Sequence, residues 1–296
     1  MSTSIPLAPD YRSDDILAFH GRDQEALAER VEPGRIRKGV LIDGVPVLLD
    51  VTLASGEARC TVDADGVLAP AALAQVDAAL LNILALRIDP APFVAAVRGD
   101  SLLGPVVQRQ RGLRIVQSAT IFEALTWAII GQQINLPFAI ALRRGLIMQA
   151  GRQHSAGLWC YPEAADVARL APDALTGQKF SRAKADTLLR LARLIEQGQL
   201  SLALPASGEV ETVAAALLAI KGIGPWTVNY ALLRGYGYAD CSLHGDVAIR
   251  GALQGLLGEQ DKPDMVRTEA FLARYKPHRS MAAAHLWASL QAPARS

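Results

Sequence analysis

The chain has 296 residues, of which 51% are hydrophobic and 20% are charged, and its formal net charge is +1 at pH 7. This composition is typical of a globular protein with a sizeable core in one to three domains, and it excludes a disordered chain. No uninterrupted apolar run reaches the roughly 18 residues of a membrane-spanning helix. Residues 1–15 lack the basic and apolar regions of a secretory signal. We therefore expect no membrane partner.

The charge is unevenly distributed along the chain. Residues 1–100 hold 9 Lys and Arg against 15 Asp and Glu, a net charge of −6, whereas residues 101–296 hold 21 against 14, a net charge of +7. A basic region of this kind favours contact with phosphates. The excess is modest, so an ordinary solvated surface remains an alternative.

The first third of the chain predicts a small α+β domain over residues 1–90. A helix is expected within residues 13–30 and an amphipathic helix over residues 70–87. Between them, Val, Ile, Leu and Thr predominate in three segments that are separated by the turn signals Asp43-Gly44 and Asp65-Gly66. These segments predict strands joined by hairpin turns, at residues 36–43, 45–55 and 56–66.

From residue 91 to residue 296 the sequence shows only helical signals, punctuated by Pro and Gly. Residues 177–200 have the pattern of a strong amphipathic helix. The second region, residues 91–296, is therefore predicted to be all-α and to contain the cleft of the active site.

The most informative part of this region is residues 217–246. Two helix-spaced apolar segments flank Gly222-Ile223-Gly224, and Pro225 stands where a helix tolerates proline best. Glycine lets the backbone approach a phosphate closely, and the amides of the following helix point at the anion. A lone G-x-G between helices is more often a plain turn. Likewise Asp246, at the start of another helix, is either a simple N-cap or a catalytic carboxylate.

Three sequence segments together resemble the helix-hairpin-helix (HhH-GPD) DNA glycosylases. Residues 217–246 have the pattern L-x-x-I-x-G-I-G-x-W-T-x-N-Y-x-x-L-R-G followed by the aspartate, residues 121–136 read IFEALTWAIIGQQINL, and residues 275–287 read YKPHRSMAAAHLW. The resemblance covers roughly residues 115–290 and is to the AlkA-type, 3-methyladenine DNA glycosylase II branch. It implies an N-terminal antiparallel sheet with flanking helices, followed by an all-α helix-hairpin-helix glycosylase region.

The resemblance also implies the chemistry. Cleavage of an N-glycosidic bond builds positive charge on the deoxyribose, and a carboxylate facing the sugar stabilises that charge. Asp246 occupies the family's aspartate position, and Asp240 is the rival. Relatives that also cut the strand carry a nucleophilic lysine where this chain has Trp226, and Lys221 lies before the hairpin. We therefore expect a monofunctional DNA glycosylase that releases the base by hydrolysis and leaves an abasic site in an intact strand.

The base must be flipped out of the duplex and enclosed by a pocket. The residues expected to form this pocket are Trp226, Tyr230, Trp287 and Gln132. Aromatic walls attract cationic rings, which favours alkylated purines such as 3-methyladenine and 7-methylguanine as substrates in base excision repair. In the family the residue after this glutamine fills the gap left in the duplex. Here it is Gln133, a polar wedge where some relatives have leucine.

The remaining expectations concern phosphates, cofactors and partners. The predicted phosphate-binding hairpin comprises Gly222, Ile223, Gly224 and Thr227. The resemblance adds a possible structural monovalent cation, Na⁺ or K⁺, but no required cofactor. No cysteine follows Cys241, so no iron–sulfur cluster is expected. The expected partner is double-stranded DNA that contains damaged bases, bound by a monomer in the cytoplasm, at the nucleoid if the source is bacterial. The backbone carbonyls expected to bind the cation are those of Leu218, Ile220 and Ile223.

Two alternative functions remain open at this stage. The first is a non-catalytic helix-hairpin-helix DNA-binding protein, in which Asp246 only caps a helix. The second is a glycosylase for oxidised or deaminated bases. The combination of Trp226, Tyr230 and Asp246 favours an alkylpurine glycosylase over the first alternative, because gripping a phosphate requires none of them.

Overall fold

The computed structural model describes residues 1–203 and 209–290. Residues 204–208 and 291–296, which belong to the predicted all-α region, lie outside this description. Among the described residues, seven strands form one sheet in the order β1-β5-β4-β3-β7-β6, with β2 also paired to β3. The strands are β1 (Ser2–Pro6), β2 (Glu29–Glu32), β3 (Arg35–Ile42), β4 (Val45–Ala54), β5 (Glu57–Ala64), β6 (Arg152–Gln153) and β7 (Trp159–Tyr161).

The centre of the sheet is the antiparallel meander of β3, β4 and β5, as the sequence predicts. Ile42 pairs with Val45, and the chain turns between them through Asp43 and Gly44, which have φ angles of 49° and 75°. Two consecutive positive φ angles define the type I′ hairpin turn that an Asp-Gly pair favours. The strand pattern and the turn signal therefore agree, and together they fix the register of the sheet.

Four strands were not predicted, and two of them come from the second region. β7 runs parallel to β3, with Gly39 opposite Cys160, and β6 pairs antiparallel with β7. A Cβ atom on Gly39 would lie 2.2 Å from the carbonyl oxygen of Trp159, so only glycine fits at this crossing. The expectation of helices alone after residue 91 is therefore wrong at β6 and β7, because strands this short carry too little pattern to detect. β1 and β2 escaped prediction as well.

The described helices cover one face of the sheet and build the rest of the molecule. The α2 helix begins with Pro70 and packs Val76, Leu80 and Ile83 against the inner face of the sheet. No helix among the described residues is long and apolar enough to cross a bilayer. The first eight helices are α1 (Ser13–His20), α2 (Pro70–Ile83), α3 (Ala91–Ala96), α4 (Leu103–Arg109), α5 (Ile121–Ile130), α6 (Leu136–Ala150), α7 (Ala164–Ala168) and α8 (Pro172–Thr176).

The other helices follow the same architecture. α5 is apolar on nearly every side and lies at the centre of the helical region, against α6, α9 (Arg182–Glu196) and α11 (Pro225–Ala231). A π-helical turn, Leu232–Tyr236, directly continues α11, and turns of this type are frequent at functional sites. The remaining α-helices are α9 (Arg182–Glu196), α10 (Val210–Leu218), α11 (Pro225–Ala231), α12 (Val247–Leu257), α13 (Met265–Ala273) and α14 (Arg279–Ser289).

A buried charge cluster joins the sheet to the helical region. The Nζ atom of Lys38 on β3 donates to Glu29 on β2 and, at 2.8 Å, to Glu123 on α5, which also accepts Arg143 of α6 at 2.7 Å. Burial alone would raise the pKa values of both glutamates, but Lys38 and Arg143 hold them below the ordinary value. Because each charge in this cluster has a buried partner of opposite sign, loss of one leaves another uncompensated.

We therefore expect Lys38→Met to lower the free energy of unfolding by about 3–5 kcal/mol, because it leaves two buried carboxylates with a single guanidinium to neutralise them. Arg37→Met, one residue away on the same strand, removes only the half-exposed pair with Glu32, and it should cost less than about 1 kcal/mol. Urea denaturation of the two variants measures the difference. Equal losses would show that the cluster does not hold the two regions together.

Candidate active site

The predicted hairpin lies between α10 and α11. Gly222 has a φ angle of +97°, and a Cβ atom there would lie 2.1 Å from the hydroxyl oxygen of Thr187 on α9. Gly224 is the N-cap residue of α11, with a φ angle of −106°, and a Cβ atom there would meet nothing within 4 Å. The two glycines therefore differ in kind, because Gly222 is required by the fold whereas Gly224 leaves open space in front of the α11 N-terminus.

The carboxylate of Asp246 is bound by four N–H groups. Oδ1 accepts the backbone N–H groups of Ala248 and Ile249 at 2.9 and 3.0 Å, so Asp246 is indeed the N-cap of α12. The same oxygen accepts the indole N–H of Trp287 at 3.1 Å, while Oδ2 accepts the indole N–H of Trp226 at 3.1 Å. A plain N-cap needs neither indole. The carboxylate is thus both a cap and a fixed, half-buried member of an aromatic cluster.

Hydrogen bonds and an ion pair fix the loop that precedes Asp246. Asn229 of α11 accepts the backbone N–H of Ser242, and it donates to the carbonyl of Pro225. Asp240 receives the guanidinium of Arg279 at 2.7 and 2.8 Å and accepts the backbone N–H of that residue. Because the carboxylate of Asp240 is committed to this pair, it serves as a structural clamp on the loop, which favours Asp246 over its rival.

The aromatic side chains predicted for the pocket lie together. Trp226 and Tyr230 are one turn apart on α11, with ring centroids separated by 5.2 Å and planes inclined by 30°. The hydroxyl of Tyr230 accepts the indole N–H of Trp127 on α5 at 3.0 Å. Trp287 reaches the cluster from α14 through Asp246. Three helices that are distant in sequence therefore supply the aromatic residues of one wall, which hydrogen bonds to Tyr230 and Asp246 hold together.

Two arginines lie on this wall. The guanidinium carbon of Arg22 is 3.7 Å from the ring centroid of Phe19 and 5.5 Å from that of Trp127. The guanidinium carbon of Arg234, in the π-helical turn, is 4.9 Å from the ring centroid of Phe19 and 5.6 Å from that of Trp287. Burial lowers the pKa of Arg234, and interaction with Tyr230 opposes that effect. Several aromatic faces thus already carry a cation.

The two adjacent glutamines have different surroundings. The amide nitrogen of Gln132 donates to the carbonyl of Gly222 at 3.0 Å and to the hydroxyl of Thr227 at 2.9 Å. These bonds join Gln132 to the hairpin, so its role in the base pocket remains a prediction. They also engage the buried side chain of Thr227, so the role of this residue in binding a phosphate, which remains a prediction, rests on its backbone N–H. Gln133 is exposed at the tip between α5 and α6, with a φ angle of 55°.

The amine of Lys184 on α9 supports the same tip. Its Nζ atom donates to the carbonyls of Ile130 and Gln132 at 2.7 and 2.8 Å, and burial lowers its pKa. A cation at the C-terminus of α5 satisfies carbonyls that the helix leaves free. The exposed position of Gln133 is therefore set by the fold, and its role as a wedge remains a prediction.

A pocket opens beside this wall, between the sheet domain and the helical region. Tyr230 belongs to both the pocket and the wall, and it connects the pocket through Trp226 to Asp246. The charge cluster around Lys38 lies on the same pocket. Its lining residues are Phe19, His20, Arg22, Asp23, Glu29, Lys38, Gln117, Ser118, Glu123, Trp127, Ile140, Arg143 and Tyr230.

Sequence reasoning missed several residues of this site. Phe19 and Arg22 belong to the N-terminal domain, to which the sequence assigned no role, and no spacing relates them to the hairpin. Trp127 and Arg234 lie inside segments already noted for their resemblance, at IFEALTWAII and NYALLRG. An aromatic residue and a cation in otherwise apolar helices are the signal that could have identified these two.

Comparisons with known proteins agree with this architecture. No protein-family model matches the chain. A DNA-3-methyladenine glycosylase of Bacillus subtilis (strain 168) is 30% identical over 202 residues, which cover 67% of this chain and 67% of that protein. The solved 3-methyladenine DNA glycosylase from Archaeoglobus fulgidus has a TM-score of 0.79 at 20% identity, covering 96% of this chain and 97% of its own.

A second solved structure shares the fold but is named for a different activity. It is an 8-oxoguanine glycosylase/lyase of Clostridium acetobutylicum in complex with double-stranded DNA, with a TM-score of 0.75 and 16% identity, covering 98% of this chain and 95% of its own. Sheet domain, helical region and hairpin together define the class, the helix-hairpin-helix DNA glycosylases. Within that class, the chain belongs to the AlkA-type DNA-3-methyladenine glycosylase family.

The contrast between the two hairpin glycines is testable. Gly222→Ala forces a side chain into a positive φ angle and against Thr187, so we expect a loss of about 2 kcal/mol or more in unfolding free energy. Gly224→Ala meets neither obstacle and should keep the stability of the wild type. It should nevertheless weaken binding to duplex DNA, because its methyl group stands where a phosphate would approach. Thermal unfolding and fluorescence anisotropy measure the two effects, and equal stability of the variants would contradict this account of the turn.

Proposed function

We propose that this protein is a monofunctional DNA glycosylase that hydrolyses the N-glycosidic bond of alkylated purines in double-stranded DNA. The observation that carries the proposal is the carboxylate of Asp246, held between two indoles beside an aromatic pocket. Relatives named DNA-3-methyladenine glycosylase support the substrate class. The reaction begins base excision repair and leaves an abasic site.

Asp246 performs the electrostatic part of the reaction. As the base departs, positive charge grows on the deoxyribose, and a fixed carboxylate stabilises that charge without having to reorganise. Oδ1 is already occupied by two amides and an indole, whereas Oδ2 has Trp226 as its hydrogen-bond donor. Oδ2 is therefore the oxygen that faces the sugar or orients the attacking water.

The residues around the carboxylate support hydrolysis without strand cleavage. A lyase needs an amine that attacks the sugar and forms a Schiff base. Trp226 stands at that position and its indole nitrogen donates to Asp246, while the Lys184 amine is bound to two carbonyls. Lys221 is exposed and precedes the turn. Water is then the nucleophile.

The hairpin and the tip between α5 and α6 contact different parts of the DNA. The free backbone amides at the N-terminus of α11 receive a phosphate across the open space at Gly224. Gln133 enters the duplex and takes the space of the flipped base, where its amide can hydrogen-bond the orphaned partner base. The positive charge of residues 101–296 supports contact of this region with the phosphates.

Substrate choice depends on the resident guanidiniums. Cationic 3-methyladenine and 7-methylguanine gain cation–π attraction only on faces that Arg22 and Arg234 leave free, which are those of Trp226 and Tyr230. Alkylation also weakens the glycosidic bond. A modest gain in binding energy is therefore enough to favour release of an alkylated base.

The other parts of the proposal concern ions, assembly and location. A monovalent cation, Na⁺ or K⁺, is held by the carbonyls of Leu218, Ile220 and Ile223, which fall within one short stretch. The carbonyl of Ile220 accepts the N–H of Ile223 at 3.0 Å and retains a second lone pair. The ion would bridge the turn to a phosphate. No cofactor takes part in hydrolysis, and the protein acts as a monomer in the cytoplasm.

The catalytic role of Asp246 can be separated from its capping role. Asparagine caps helices as well as aspartate does, but its amide nitrogen cannot accept the indole N–H of Trp226. Asp246→Asn should therefore lose one hydrogen bond and lower the melting temperature only slightly. We expect the single-turnover rate of 7-methylguanine release to fall by about 100- to 1,000-fold or more, since an electrostatic stabiliser is lost. Full base release by this variant would refute the assignment.

Asp100→Asn is the matched control for this experiment. Asp100 also binds two backbone amides through Oδ1, and its Oδ2 accepts the hydroxyl of Tyr275 and the guanidinium of Arg274 rather than an indole. The same chemical change at this carboxylate should leave the rate of base release unchanged.

The absence of lyase activity gives a second test. Incubation of the protein with methylated duplex and sodium borohydride should trap no covalent protein–DNA adduct, and the product strand should break only after alkali treatment. The physical reason is that no free amine stands beside Asp246 among the residues that the structure describes. An adduct that survives denaturing electrophoresis would establish a bifunctional enzyme instead and would favour the oxidised-base alternative.

A further inference from the structure

Gln117 is fixed in the wall of the pocket by its backbone. It lies in the segment between α4 and α5, where its N–H donates to the carbonyl of Asn82 at 3.1 Å. The next residue, Ser118, donates to the carbonyl of Arg234 in the π-helical turn at 2.8 Å. The side chain of Gln117 is completely buried and lines the same pocket as Trp127 and Tyr230.

The amide of Gln117 is unusual because neither of its polar atoms is satisfied. Both Nε2 and Oε1 lack a hydrogen-bond partner among the described residues. Burying such a group without partners destabilises a fold, and native proteins rarely tolerate it without a functional reason. The charged groups nearby are different, since Lys38, Glu29, Glu123 and Arg143 bind one another.

One other pocket residue has an unpartnered atom, Oδ2 of Asp23. Its Oδ1 atom is bound to Arg144 at 2.8 Å, so this carboxylate is already neutralised. Gln117 therefore brings to the pocket a buried amide whose donor and acceptor are both free. That pair matches the edge of a nucleobase, on which a donor and an acceptor also stand side by side.

We propose that the amide of Gln117 hydrogen-bonds the edge of the flipped base, an assignment that rests on the proposed function. Tyr230 supplies an aromatic face that no guanidinium covers, Arg22 lies over Phe19 and Trp127 on the same pocket, and Gln117 supplies the polar end. A glutamine amide pairs with the amino group and ring nitrogen of an adenine. Rotated by half a turn, it pairs with the carbonyl and ring N–H of a hypoxanthine or a 7-methylguanine. The substrate class is thus purines that keep an adjacent donor and acceptor.

This assignment predicts a lesion whose release does not depend on Gln117. In 1,N6-ethenoadenine the added ring removes the N–H from this edge, so the base offers the amide no donor. Hypoxanthine and 1,N6-ethenoadenine are both uncharged, so a comparison between them is independent of cation–π attraction. A residue that merely supports the fold would affect both lesions alike.

The test compares wild type with Gln117→Leu on duplexes that contain one or the other lesion, by single-turnover base release. Where a lesion is bound but not released, the dissociation constant is compared instead. We expect the variant to lose about 10- to 100-fold on hypoxanthine, the effect of removing a paired amide, and less than about threefold on 1,N6-ethenoadenine. Its melting temperature should equal or exceed that of the wild type, because a buried unpaired amide has been removed.

Each result has one meaning. A selective loss on hypoxanthine, with the melting temperature maintained, supports the assignment. Equal losses on both lesions, or no loss on either, overturn it while leaving the proposed function intact. Failure of the wild type to release any base from methylated DNA overturns the proposed function, and the assignment of Gln117 with it.

Discussion

The carboxylate of Asp246 lies where one helix N-terminus and two indole N–H groups converge. This convergence is the constraint on which the rest of the site depends. The backbone amides fix the position of the carboxylate, and the indoles of Trp226 and Trp287 fix its orientation relative to the aromatic wall. Removal of a base requires negative charge in one place beside the sugar, and a carboxylate that is already held by four donors does not have to reorganise as the charge develops.

The N-terminal domain contributes side chains to the candidate site. Its first helix supplies Phe19, and the following turn supplies Arg22, which lies over that ring. The buried cluster of Lys38 and its partners fixes this domain against α5, the helix that carries Trp127. Two regions of opposite net charge therefore both contribute side chains to the pocket, and neither region alone lines it.

The sequence predicted the parts of the molecule that depend on neighbouring residues. The Asp43-Gly44 turn, the glycine hairpin and the placement of Asp246 at a helix start are local features, and all are present. Long-range contacts were not accessible in this way. The strands β3 and β7 are neighbours in the sheet although Gly39 and Cys160 are far apart in the sequence. Arg22 likewise contacts Trp127 only in the folded chain. Resemblance to a family identified the reaction, whereas it gave no warning of the guanidiniums that occupy the wall.

The most direct test of the central claim is a double-mutant cycle on the bond between Trp226 and Asp246. Trp226→Phe keeps an aromatic ring and deletes the N–H donor, and single-turnover release of 7-methylguanine is measured with and without Asp246→Asn. The account predicts that Trp226→Phe slows release by about 10-fold in the wild-type background. In the Asp246→Asn background it should have almost no further effect, because the two groups act as a unit. Losses that multiply independently would show that the indole does not act through the carboxylate and would contradict this account.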